Sequence, residues 1–195
     1  MPPERLNTIN GKGGRRIVAT EKFKELILYI AQESEYDPNF GATKLNKILF
    51  FCDFLAYRAH GRSISGQRYF KLPYGPAPRS LKPAISELVA EDSCIEIEKI
   101  RFGRPQKRVI ARREANVEAF TPTEIALTGS VIRALWDNSA QEVSELSHHF
   151  IGWQMAETYE DIPYEAIFLG DPRDFVLTEE EIAHGQQLAL EEIGA

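Results

Sequence analysis

The stretch YFKLPYGPAPRSLKPAI, residues 69–85, decides how the middle of this chain is built. It sets four prolines and one glycine between an extended run and a helix. Leu72 precedes Pro73, and a residue before proline is pushed out of the helical region, so 67–72 reads as a short strand. After Tyr74-Gly75, Pro76 and Pro78 hold a rigid loop. A helix begins between Arg79 and Pro83, because a first turn tolerates proline where its N–H groups have no intrahelical partner. Leu81, Ala84, Ile85, Leu88 and Val89 form its apolar stripe. No residue of the stretch is an obvious catalytic group.

Two helices precede it. The first opens at Thr20, a plausible N-cap, and carries Phe23, Leu26, Ile27 and Ile30 at helical spacing. Asp37-Pro38-Asn39-Phe40-Gly41 breaks it. The second runs over 43–60, with Leu45, Ile48, Leu49, Cys52, Leu55 and Ala56 on one face, and Gly61 stops it. Phe50, Phe51, Phe54 and Tyr57 make its other faces apolar too, which predicts a central helix contacted on more than one side. Lys44 and Lys47, one turn apart, are expected to share an exposed edge.

Downstream, 93–100 and 107–113 alternate in the manner of strands around Gly103-Arg104-Pro105-Gln106, a hairpin. Helix, short strand, helix and hairpin is the order of a winged-helix unit, with the hairpin as its wing. Two more helices follow. One starts at Thr121-Pro122-Thr123-Glu124; the other covers 139–156, with Val143, Leu146, Phe150 and Trp153 on one side. Thr178 and Glu181 give a capping box to a terminal helix with a thin apolar stripe. The fold class expected is α+β, mainly helical: a basic arm over 1–19, one winged-helix-like domain with additional C-terminal helices over 20–170, and an acidic helix over 171–195.

At 195 residues, 43% hydrophobic and 27% charged, the composition is that of an ordinary globular protein. The longest apolar run, 48–56, is interrupted by Asp53 and too short for a bilayer, and no apolar region follows the basic N-terminus. A cytoplasmic protein without membrane contact is expected. Two cysteines, Cys52 and Cys94, predict buried free thiols and no thiolate zinc site. The net charge of −6 argues against coating nucleic acid through the overall field. Its distribution is uneven: 99–113 holds seven bases and no acid, whereas 157–195 holds eleven acids and one arginine.

Gly-Lys-Gly-Gly at 11–14 lacks the strand, the spacing and the helix of a phosphate loop. His148 and His149 are neighbours on a helix, about 100° apart, and cannot share a metal as an i, i+4 pair would. No nucleophile and base accompany them, so neither a catalytic residue nor a cofactor is expected. The hairpin bases Arg104, Lys107 and Arg108 are candidates for phosphate contact. The helix before them carries Glu87 and Glu91, with Asp92 beyond, which would face DNA badly. A solvated strand face, or docking of an acidic partner, explains the same bases.

Thr43-Lys44-Leu45-Asn46-Lys47-Ile48-Leu49-Phe50-Phe51, then Tyr74-Gly75-Pro76, then Ser147-His148 with Trp153 five residues after the histidine and Ile162-Pro163-Tyr164-Glu165 behind, resemble the Panacea domain, the SocA-type antitoxin family. The resemblance covers about 20–165. It departs at His149, Phe150 and Ile151, where the family often has acids and a proline. What it implies is a non-enzymatic antitoxin that neutralises a toxin encoded nearby by direct contact, or hands it to a cytoplasmic protease. The residues expected to touch a partner are Lys44, Lys47, Tyr74, His148, Arg104, Lys107 and Arg108. Leu45, Leu49, Gly75, Pro76 and Trp153 are expected to be structural, with Tyr74-Gly75-Pro76 as a rigid joint. The alternative is a transcriptional regulator making weak DNA contact through the 99–113 hairpin.

Overall fold

The computed structural model of the protein describes residues 19–101 and 104–170. The basic arm, the hairpin tip and the acidic terminal helix expected from the sequence lie outside the described residues, as do the side chains of Arg101 and Arg104.

Helix α1, Glu21–Glu33, starts where expected: Thr20 Oγ1 accepts the Phe23 N–H at 3.2 Å. Its stripe of Phe23, Leu26, Ile27 and Ile30 is fully buried, and each such side chain contributes about 1.5–3 kcal/mol by leaving water. Helix α2, Ala42–His60, ends at Gly61, whose φ of 68° admits the left-handed cap. Its side chains are buried without interruption from Ile48 to Ala56. It is the central helix the sequence implied, touched by α1, by the β-structure and by the C-terminal helices.

Strand β1, Tyr69–Leu72, turns back on β2, Gly75–Pro78, in a two-residue hairpin. The proline-rich segment read as a rigid loop is therefore a strand. The register explains how it can be one: Leu72 faces Gly75 and Phe70 faces Ala77, so the prolines alternate with residues that keep their N–H. Only the outward-pointing donors are lost. Strand β5, Asp161–Ile162, occupies the other edge of β1.

Helix α3, Leu81–Ala90, buries Leu81, Ala84, Ile85 and Leu88 as expected, while Val89 is exposed. It leads to the hairpin of β3, Cys94–Arg101, and β4, Arg104–Ala111. The order of a winged helix is present, but the strand joins a different sheet: β1 pairs with β2 and β5, not with the hairpin. Both edges of β1 are already taken, so the hairpin stands as a two-stranded ribbon against α1 and α3. The molecule is α+β, with helices around two small antiparallel sheets.

Helix α4, Pro122–Ala134, begins with a capping box between Thr121 and Glu124. The single helix expected over 139–156 is two: α5, Ala140–His148, and α6, Ile151–Met155. The break is at Phe150, which takes an extended conformation (ψ 117°). Its ring lies 5.3 Å from Phe50 and 5.1 Å from Phe54, so a core aromatic site draws the backbone out of the helix. A short 3-10 segment, Tyr164–Phe168, closes the end of α2.

Candidate functional site

Three carbonyls around the β1–β2 turn are each met by a side chain from a helix. Trp153 of α6 donates its indole N–H to Leu72 O at 2.9 Å. Ser144 of α5 donates its hydroxyl to Tyr74 O at 3.1 Å, and Lys47 of α2 donates to Pro76 O at 3.0 Å. Tyr74 O and Pro76 O lie off the β1–β2 ladder and find their partners on α5 and α2, while Leu72, paired with Gly75, takes the indole N–H of α6 in addition.

Gly75 permits the arrangement. Its φ of 100° is one an L side chain rarely adopts. A Cβ there would also fall 2.5 Å from Lys47 Nζ and closer still to Ser147 Oγ. The rigid joint expected at Tyr74-Gly75-Pro76 thus has a physical basis. What the joint presents is Tyr74, 74% exposed although its own backbone is clamped on both sides.

Around Tyr74 the other predicted residues take different roles. His148 is half-buried and stacks on Trp153, ring centres 4.1 Å apart and planes 13° apart. Burial, and then the neighbouring Lys47, hold its pKa below the ordinary histidine value, which favours the neutral ring. Lys71 lies 4.4 Å from the centre of the Trp153 ring and donates to Ala156 O at 3.0 Å. Pro73, His149, Gln154 and Met155 are exposed beside the turn, and Gln154 donates to His148 O. The face combines an apolar centre with a polar rim, the anatomy of a protein interface.

The expected exposed edge of Lys44 and Lys47 does not exist. Lys44 is fully buried, ion-paired with Asp37 at 2.6 Å and bonded to Trp136 O at 2.6 Å and Asn138 O at 2.9 Å. Lys47 is 2% exposed. Both lysines sit inside because α2 is covered nearly all round. Burial pushes the Lys47 amine down to about 7. Leu45 and Leu49 are core residues, as expected.

The hairpin bases also divide. Arg108 donates to Asp37 O at 3.1 Å, Ser34 O at 3.0 Å and Glu35 O, and its guanidinium lies 5.5 Å from the Phe40 ring centre. It thus neutralises the carbonyl end of α1. Arg112 pairs with Asp92, and Arg113 with Glu25 at 2.6 Å. Lys99 and Lys107 are exposed, beside exposed Glu96 and Glu98. Much of the basic cluster is occupied within the molecule.

Sequence reasoning missed the buried network around Asp53, which accepts from Ser65 N at 2.7 Å, Ser65 Oγ and Tyr69 Oη at 2.8 Å. It missed Ser144 and the pairing of Asp37 with Lys44 as well. An acid inside a helix otherwise apolar on every face was the available signal for the first. Among the described residues no three His, Cys, Asp or Glu side chains are grouped to hold a metal, and no helix is long and apolar enough to cross a membrane.

The model of the family described as Antitoxin SocA-like, Panacea domain, matches residues 45–154. The matched region includes Lys47, the whole β1–β2 turn, α5 and Trp153, and it is more than half of the chain. The chain belongs to the SocA-like Panacea domain family. No curated protein and no solved structure matches it.

Proposed function

We propose that this protein is a cytoplasmic, non-enzymatic antitoxin that neutralises a toxin encoded beside it, by direct contact through the face that carries Tyr74. The observation that supports this reading most is the exposure of an aromatic ring on a turn whose carbonyls are held from three helices. A large ring on a fixed backbone loses little entropy on binding, which is the property of an interface anchor. The family membership supplies the kind of partner.

Growth rescue tests the reading. The neighbouring reading frame is expressed alone, with this protein, and with its Tyr74→Ala variant. Arrest by the neighbour, rescue by the wild type and loss of rescue by the variant support it. A harmless neighbour, or rescue that fails with the wild type, overturns it. Rescue that requires an intact cytoplasmic protease assigns the adaptor role instead of direct neutralisation. The DNA-regulator reading draws no support from Arg108, Arg112 and Arg113, which are engaged within the molecule.

A further inference from the structure

Lys47 is a cation site without an anion. It is 2% exposed, its hydrogen bond goes to a neutral carbonyl, Pro76 O, and no carboxylate lies within ion-pair distance among the described residues. Lys44, one turn back on the same helix, is equally buried but has Asp37 at 2.6 Å. The difference matters because an unpaired ammonium in an apolar interior costs several kcal/mol, whereas a neutral amine does not. A neutral amine still carries N–H groups and keeps the bond to Pro76.

The surroundings add no compensation. Strand β2 brings Gly75–Pro78, which contain no titratable group, and α5 brings Ser147 and His148, with Glu145 and Glu142 exposed and Glu142 engaged at Ser139. From α4 comes Glu124, bound to Lys22; from the 3-10 segment come Tyr164 and Glu165, bound to Gln67 O and Tyr57; from β4 comes Arg108, bound at the end of α1. On α1, Lys24 pairs with Glu91 and Glu25 with Arg113.

We propose that Lys47 is the positioning residue for Tyr74: the turn closes over its amine when that amine is neutral, and proton uptake opens the turn to admit water and displaces Tyr74. The space left by the missing Gly75 side chain is where the amine and Ser147 Oγ converge, so a hydrated ammonium cannot be accommodated without movement of residues 74–76. The lowered pKa of Lys47, about 7, places the transition near neutrality. That Tyr74 meets a partner rests on the function proposed above. The coupling to Lys47 does not, and it is measured on the protein alone.

The full chain is labelled with tyrosine carrying carbon-13 in its ring, the Tyr74 resonance is assigned with Tyr74→Phe, and its carbon shift is followed from about pH 6 to about pH 8, across the amine's transition and below the ordinary ionisation of a phenol. The expected result is a titration with a midpoint near 7 in the wild type and in His148→Gln. It disappears in Lys47→Met, and in Lys47→Arg, whose charge does not titrate in this range. A flat wild-type shift overturns the proposal. So does a titration that persists in both Lys47 variants or is lost in His148→Gln. If Lys47→Met does not fold, the wild type, Lys47→Arg and His148→Gln decide. With a neutralised partner in hand, affinity falls about tenfold per pH unit well below the midpoint.

Discussion

Gly75 and Lys47 share one space: a Cβ on the glycine would stand 2.5 Å from the lysine Nζ, and the glycine's φ is 100°. Either condition alone disfavours a side chain, and together they make the position intolerant. Gly75→Ala is expected to lower stability by on the order of 2 kcal/mol or more in urea denaturation. Gly66 is the internal comparison, because its φ is 68° but a Cβ there would meet nothing within 4 Å. Gly66→Ala should cost about 1 kcal/mol, the conformational part alone. Equal losses at the two glycines would show that the contact with Lys47 is unimportant.

Lys44 and Asp37 form a buried ion pair, both almost wholly excluded from solvent. Removing one partner strands a charge in the core. Lys44→Met and Asp37→Asn are each expected to cost about 3–5 kcal/mol, and the double variant much less than their sum. Denaturation of the three variants forms the cycle. Additive losses would contradict a coupled pair.

The two lysines also show how far the sequence could be read. A 3.6-residue period found α1, α3 and α4 because each carries an apolar stripe visible in the order of residues, although α1 buries Lys24 and Glu25 beside that stripe. It fails for charges on α2: the apolar faces of Phe50, Phe51 and Phe54 were legible, and a helix apolar all round leaves its lysines inside as well. The break at Phe150 depends on rings contributed by α2, a tertiary contact absent from local spacing. Strand β2 was hidden by its prolines, whose alternation with Gly75 and Ala77 has meaning only in register with β1. For the site, Tyr74, Gly75, His148 and Trp153 were legible as a motif; that Trp153, Ser144 and Lys47 converge on the carbonyls of the turn was not.

Arg108 and Lys107 are adjacent in sequence and opposite in environment. The first is bonded to three carbonyls at the end of α1; the second is exposed. Arg108→Ala is expected to destabilise the fold by about 1–3 kcal/mol, because it removes hydrogen bonds from a charged donor. Lys107→Ala should stay within about 0.5 kcal/mol of the wild type. Neither should change the salt dependence of duplex DNA binding. A loss of about one unit from the salt slope with Lys107→Ala would instead revive the regulator reading.

Stability should depend on pH through Lys47. This residue has a folded pKa of about 7 against 10.5 when exposed, so between these values the unfolded chain binds more protons at this position. Stability from this group therefore rises with pH across that window and is lower on its acid side. Cys52, Cys94 and Tyr69 act oppositely from about pH 9 upward: burial raises their pKa values, so the unfolded chain loses protons first and stability falls. His148, with its pKa held down, lowers stability only below the ordinary histidine range. The Lys47 contribution is isolated by subtracting Lys47→Met from the wild type at each pH. From about pH 7.5 to about pH 9 the wild type should gain about 2 kcal/mol relative to the variant. A difference that is constant over this range would mean that Lys47 keeps its proton in the folded state.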